Sequence, residues 1–200
     1  MSKADDAALI RAFAEGREEA FAALYDRYAL ALFRVAWTLL RSRPDAEDAV
    51  QEVFLGLVRS RVLLAQVVSL RAYLFSALRH AAARLAARRP AGAPLPPDEL
   101  TARTTQPEEG IDPHLLRRLA AALAGLPPDQ REVLTLKIDG GLTFAEVAAV
   151  LGIRPNTAAS RYRYALEKLR ALLNEDTYES RPVSSRPSGP GAVADPPSLS

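Results

Sequence analysis

Residues Leu142–Arg170 read LTFAEVAAVLGIRPNTAASRYRYALEKLR. Phe144, Val147, Ala148 and Leu151 form a helical apolar stripe that stops at Gly152. Thr143, three residues before Glu146, has the spacing of a capping box, in which each residue satisfies an orphan donor of the first helical turn. Gly152 tolerates the positive φ that lets a chain leave a helix, and Ile153 is placed to plug the turn. Pro155 suits the first turn of a new helix, because its missing N–H would have had no helical partner. That second helix buries Ala158, Tyr162, Ala165, Leu169 and Leu172. It turns Thr157, Ser160, Arg161, Arg163, Tyr164 and Lys168 outward. A capped helix, a tight glycine turn and a cationic helix make a helix-turn-helix, which lays its second helix in the DNA major groove. An ordinary helical hairpin with a solvated basic face competes with this reading. The capping, the short turn and the basic face together favour DNA.

The rest of the chain places this motif in an all-α protein. Of 200 residues, 48% are hydrophobic and 25% charged, and strand-type alternation is scarce. Cysteine is absent, which removes disulfides and thiolate metal sites and fits a reducing cytosol. Two distant histidines, His80 and His114, offer no zinc site, and no cofactor is implied. The N-terminus lacks the apolar core of a signal peptide, and no uncharged apolar run approaches the roughly 18 residues of a membrane span, so a cytoplasmic protein without membrane insertion is expected.

Charge is segregated. Residues 34–89 carry ten Lys and Arg against four Asp and Glu, and residues 130–173 carry seven against four. Residues 90–129 carry three against six. Two basic helical blocks flanking an acidic connector suit two meetings with a polyanion. Arginine supplies nearly all the cations, and its fork matches phosphate and guanine bidentately.

Further helices are predicted on both sides of the connector. Phe21, Leu24, Tyr25, Tyr28, Leu32, Val35 and Leu39 recur at helical spacing. Val50, Val53, Phe54, Leu57 and Val58 form a second stripe behind Asp45, read as an N-cap. Residues 60–70, SRVLLAQVVSL, fit a loop or a short helical turn. The next helix buries Leu70, Leu74, Leu78, Ala81 and Leu85, opposite Tyr73, Ser76, Arg79, His80 and Arg84. Residues 90–112, rich in Pro, Gly, Thr and acid, read as a flexible linker. His114 to Leu126 form a helix, and Asp129 with Glu132 resembles a capping box for the following one, closed by Gly140 and Gly141. The Pro- and Ser-rich residues 174–200 are expected to be disordered.

The block LYDRYALALFRVAWTLLRSRPDAEDAVQEVFLGL resembles region 2 of the sigma-70 family. ALAGLPPDQREVLTLKIDGGLTFAEVAAVLGIRPNTAASRYRYALEKLRALL resembles its region 4. A short linker and no region 3 make the layout that of an extracytoplasmic-function (ECF) sigma factor. The resemblance implies two small helical domains, residues 1–89 and 113–173, joined by the linker 90–112 and followed by the tail 174–200. It implies a non-enzymatic protein that binds core RNA polymerase, recognises minus-35 and minus-10 promoter elements and promotes melting. Asp45, Asp48, Gln51, Glu52 and Phe54 match the motif that docks on the β′ clamp helices, and region 4 implies a contact with the β flap. Arg71, Tyr73, Arg79, His80 and Arg84 match the segment that holds the minus-10 strand. Residues 60–70 match the loop that captures a flipped base. Arg154, Asn156, Thr157, Ser160, Arg161, Arg163 and Tyr164 match the minus-35 reading helix, with Lys168 on the same face. An anti-sigma factor is a further implied partner. Ala159 stands where Lys is common before the Ser-Arg pair, His80 where Asn is usual, Arg84 where Asp is usual, and Tyr73 where Trp is common. Two other readings fit the same residues. One is a dimeric operator-binding regulator that works without core polymerase, and the other a helical module whose basic faces dock an acidic protein.

Overall fold

The computed structural model describes residues 3–62, 64, 67–88 and 113–179. Among these the structure is helical, without strands. The elements are α1 (Lys3–Ala14), α2 (Glu18–Leu40), α3 (Arg43–Arg59), α4 (Leu70–Arg88), α5 (Pro113–Ala124), α6 (Pro128–Ile138), α7 (Phe144–Leu151) and α8 (Pro155–Glu179).

The N-terminal helices pack as their stripes dictate. Leu24, Tyr28, Leu32 and Val35 of α2 are buried against Val50, Val53, Phe54 and Leu57 of α3 and Leu70, Leu74, Leu78 and Ala81 of α4. Phe75 and Ala82 are buried as well, outside the single stripe read from the sequence, because α4 packs against α2 and α3 on one side and α7 on another. Val58, expected in the core, is 46% exposed. It lies in the last turn of α3, where the packed face runs out. Leu64 is buried within the 60–70 segment, in a short 3₁₀ turn.

Two caps differ from expectation. Ser42, not Asp45, caps α3: its Oγ accepts from the Asp45 N–H, and Pro44 follows in the first turn. Asp129 and Glu132 do not form a capping box on α6, whose N-cap is Pro127. Their carboxylates are committed elsewhere, to Arg161 and Arg79 respectively. The Thr143–Glu146 box on α7 is complete in both directions, and Gly152 ends that helix at φ +67°.

The last helix is longer than expected. It continues through Asn174 to Glu179, because the first helix-breaking residue beyond Leu173 is Pro182. The remaining tail, 180–200, and the connector, 89–112, lie outside the described residues.

The C-terminal helices contribute to two apolar clusters. Ala122, Leu126, Leu134, Ala165 and Leu169 join α5, α6 and α8. Val133, Leu136, Leu142, Val147 and Ala148 belong instead to the same buried cluster as α1–α4. The two halves of the chain therefore meet, with α7 on α4 and α6 on α2.

Asp139 sits at this meeting. Burial raises its pKa above the ordinary carboxylate value, and Arg34, 3.8 Å away, only partly opposes the shift. It also caps the negative end of α6, where an anion is disfavoured. A raised folded-state pKa means the ionised form destabilises the fold above that pKa, and the penalty disappears as pH falls below the unfolded value. Asp139→Asn should therefore raise the melting temperature at pH 7. The gain should shrink as pH is lowered towards about 4, and thermal denaturation followed by circular dichroism at both pH values checks it.

Candidate nucleic-acid interface

The helix-turn-helix is assembled by local rules. Glu146 Oε2 accepts from the Thr143 N–H at 2.8 Å and from Thr143 Oγ1 at 2.9 Å, while the Glu146 N–H reaches Thr143 Oγ1 at 3.2 Å. These bonds fix where α7 begins. The Ile153 N–H closes the turn on the Ala148 carbonyl at 3.0 Å. Phe144 meets Tyr162 edge-on with ring centroids 5.5 Å apart, pinning α7 to α8. Ala158 and Ala165 are fully buried, which turns the opposite face of α8 to solvent.

That face holds the residues expected to read duplex DNA. Arg154, Asn156, Thr157, Arg163, Tyr164 and Lys168 are exposed, and Ser160 and Arg161 are half-buried. Arg161 Nε lies 3.1 Å from Asp129 Oδ2, which holds the side chain against α6. The Arg163 guanidinium lies 5.1 Å from the Tyr164 ring centroid and 3.8 Å from Glu167, so three side chains form one exposed group. Ser160 Oγ is turned back onto the Asn156 carbonyl at 2.9 Å.

The expected minus-10 residues lie along α4, but only His80 and Arg84 are fully on the surface, and Arg84 is tied to Glu52 of α3. Arg71, Tyr73 and Arg79 are half-buried. Arg79 Nε donates to Glu132 Oε1 at 2.9 Å, and Arg71 Nη1 donates to the Gly141 carbonyl at 2.9 Å. Gly141 has φ +61°, and a Cβ there would stand 2.5 Å from Arg71 Nη1, so the contact needs glycine twice over. Sequence reasoning gave Glu132 and Glu146 only capping roles. Their cross-chain partners, Arg79 and Ser69, are 53 and 77 residues away, and no local pattern announces such pairs.

Of the expected polymerase-docking residues on α3, Asp48, Gln51 and Glu52 are exposed and Asp45 is half-buried. Phe54 is different. It is 4% exposed, with its ring centroid 4.8 Å from that of Tyr25 and 6.0 Å from that of Phe21. Phe54 thus packs beneath α3 and does not present a surface of its own. Tyr25 of α2 lies beside it, half exposed.

A capped, exposed cationic reading helix beside a second arginine-bearing helix defines a DNA-binding protein of the helix-turn-helix class. Residues 24–90 match Sigma-70 region 2, and residues 116–169 match Sigma-70, region 4. The chain is 32% identical over 164 residues to RNA polymerase sigma factor CarQ of Myxococcus xanthus, covering 82% of this chain and 94% of that protein. It is 33% identical over 157 residues to ECF RNA polymerase sigma factor SigL of Mycobacterium tuberculosis, covering 76% and 88%. Among solved structures, CnrH in complex with the cytosolic domain of CnrY aligns with a TM-score of 0.62 at 28% identity, over 86% of this chain and 98% of that one. RpoE in complex with the anti-sigma factor NepR from Bartonella quintana also aligns at 0.62, with 25% identity over 77% and 98%. The chain belongs to the sigma-70 family, among its ECF RNA polymerase sigma factors. Its role is that of the family: it binds core RNA polymerase and promoter DNA to initiate transcription.

The turn gives a clean test of how the reading helix is held. Nothing lies within 4 Å of a Cβ built on Gly152, so substitution there is opposed by backbone conformation alone. Gly152→Ala should cost about 1–2 kcal/mol, and Gly152→Asn less, because Asn tolerates the left-handed region. Urea unfolding of the three proteins measures the order.

Proposed function

We propose that the three groups of residues divide the work of initiation. Residues 1–89 form the region 2 domain and 113–173 the region 4 domain, with α8 continuing to Glu179. Asp45, Asp48, Gln51 and Glu52 meet cations of the polymerase β′ clamp helices, with Phe54 holding α3 in register. The region 4 domain docks on the β flap and lays α8 in the minus-35 major groove. Arg154, Asn156 and Thr157, at the N-terminal end of α8, reach base edges, while Arg161, Arg163 and Lys168 serve the backbone. Ser160 and Tyr164 complete the reading face. On α4, Arg71, Arg79 and Arg84 hold the phosphates of the unpaired minus-10 strand. Tyr73 and His80 offer rings on which bases stack.

The observation that carries this reading is the exposed, cation-bearing N-terminal half of α8. It is set up by the Gly152 turn, in a chain that also carries a region 2 helix set. The protein has no catalytic part in this scheme: it positions and melts DNA for the polymerase, in the cytoplasm where that enzyme works. Two of the solved relatives are held by partner proteins, CnrY and the anti-sigma factor NepR, which supports an anti-sigma partner here.

Reconstitution with core RNA polymerase and a library of promoter fragments, read by transcript start sites, tests the scheme. Defined starts that share two upstream elements are expected. A chain that never associates with core polymerase would overturn it. In the same system Lys168→Ala should weaken engagement of minus-35 duplex and lower the slope of log affinity against log salt by about 0.9, the loss of one phosphate contact. An unchanged slope with altered sequence preference would move Lys168 to base reading.

A further inference from the structure

Among the described residues, polar ties cross between the halves of the chain. Arg79 donates to Glu132, Arg71 to the Gly141 carbonyl, and Ser69 Oγ to Glu146 Oε1 at 2.7 Å, while Arg34 faces Asp139. The Arg71 guanidinium also lies 5.8 Å over the Tyr28 ring, whose hydroxyl donates to Asp6 at 2.6 Å, so its stem is braced from α2. Behind these ties the buried cluster is continuous from α4 to α7. Two of these donors, Arg71 and Arg79, are among the residues assigned to the unpaired strand. Their partners are a carboxylate and a carbonyl, both oxygen acceptors that occupy donor groups a phosphate would use. Glu132, 19% exposed, is better shielded from solvent than Arg79, so the acceptor comes from the fixed side of the pair. The reading face of α8 is left more open: Arg161 is paired with Asp129 of the same half, but Arg154, Asn156, Thr157 and Lys168 remain exposed.

We propose that the acidic edge of region 4 is an intramolecular stand-in for the minus-10 strand, clasping region 2 so that the free chain masks its strand-binding helix while leaving its duplex-reading helix open. This rests on the reading that α4 holds the unpaired strand. Masking and strand binding compete, because the Arg79 Nε–H given to Glu132 is lost to a phosphate and the carboxylate beside it repels the phosphate's charge. Full use of the strand-binding face therefore requires the halves to part.

The chain has no cysteine, so spin labels on Ala22→Cys in α2 and Ala171→Cys in α8, both exposed, report the separation of the halves in the full-length protein. Glu132→Arg opposes a cation to Arg79. Glu19→Arg makes the same charge change on an exposed site away from the seam. Arg79→Glu combined with Glu132→Arg restores the pair with its signs exchanged. Circular dichroism confirms folding of each. The probe is a fluorescent pool of random single strands of about 15 nucleotides.

A single short distance in the parent is expected. It should lengthen in Glu132→Arg, stay put in Glu19→Arg and return in the exchanged pair. Strand affinity should rise at least about threefold more in Glu132→Arg than in Glu19→Arg, a modest factor because the broken pair is partly solvated. A broad distance distribution in the parent, or no lengthening in Glu132→Arg, overturns the clasp. Lengthening with no affinity gain beyond the Glu19→Arg control overturns the masking and traces the failure to the assignment of α4 as strand holder.

Discussion

Helix α4 is packed on more than one side, and the rest of the molecule is arranged around that fact. Leu74, Phe75 and Leu78 are essentially inaccessible, and each such side chain contributes about 1.5–3 kcal/mol by leaving water. Helices α2 and α3 cover one side, and α7 covers another. A helix held this firmly cannot reposition its own side chains by much. What it shows to a ligand is set by which neighbour is present, and one of those neighbours belongs to the other end of the chain.

Glu146 illustrates how few groups carry this arrangement. One oxygen completes the capping box on Thr143, and the other accepts from Ser69. Ser69 in turn accepts from the Ala72 N–H in the first turn of α4. A single carboxylate therefore links the starts of two helices, and through them the helix-turn-helix to α4. Arg131 plays a comparable part within region 4, donating to the carbonyls of Leu123 and Leu126 at 2.8 Å each and so satisfying the end of α5.

What could be read from the sequence was local. The Thr143–Glu146 box, the positive φ of Gly152 and the placement of Pro155 each rest on interactions within a few residues. Apolar stripes gave α2, α3 and α4 their inward faces. Two kinds of feature escaped. Phe75 and Ala82 lie off the α4 stripe because a second packing partner arrives from far along the chain, and a one-face periodicity cannot encode it. Asp129 and Glu132 have capping-box spacing, yet arginines on other helices offered their carboxylates a charged partner, and Pro127 took the cap. Ser42 displaced Asp45 as the cap of α3 because Pro44 sits in a first turn that starts three residues earlier than the acid suggested. Among the residues expected from the sequence to meet DNA, their state was not legible: Arg154 is exposed while Arg79 donates to Glu132.

The bend at Gly152 has an evolutionary corollary. No atom approaches it, and the side chains immediately after it, Arg154, Asn156 and Thr157, are exposed. The load of holding α8 falls on Ala158, Tyr162, Ala165 and Leu169 further along. Selection can therefore rewrite the tip of this helix almost letter by letter without taxing the fold, so a lineage of such chains can diverge in the chemistry shown there while keeping one and the same scaffold.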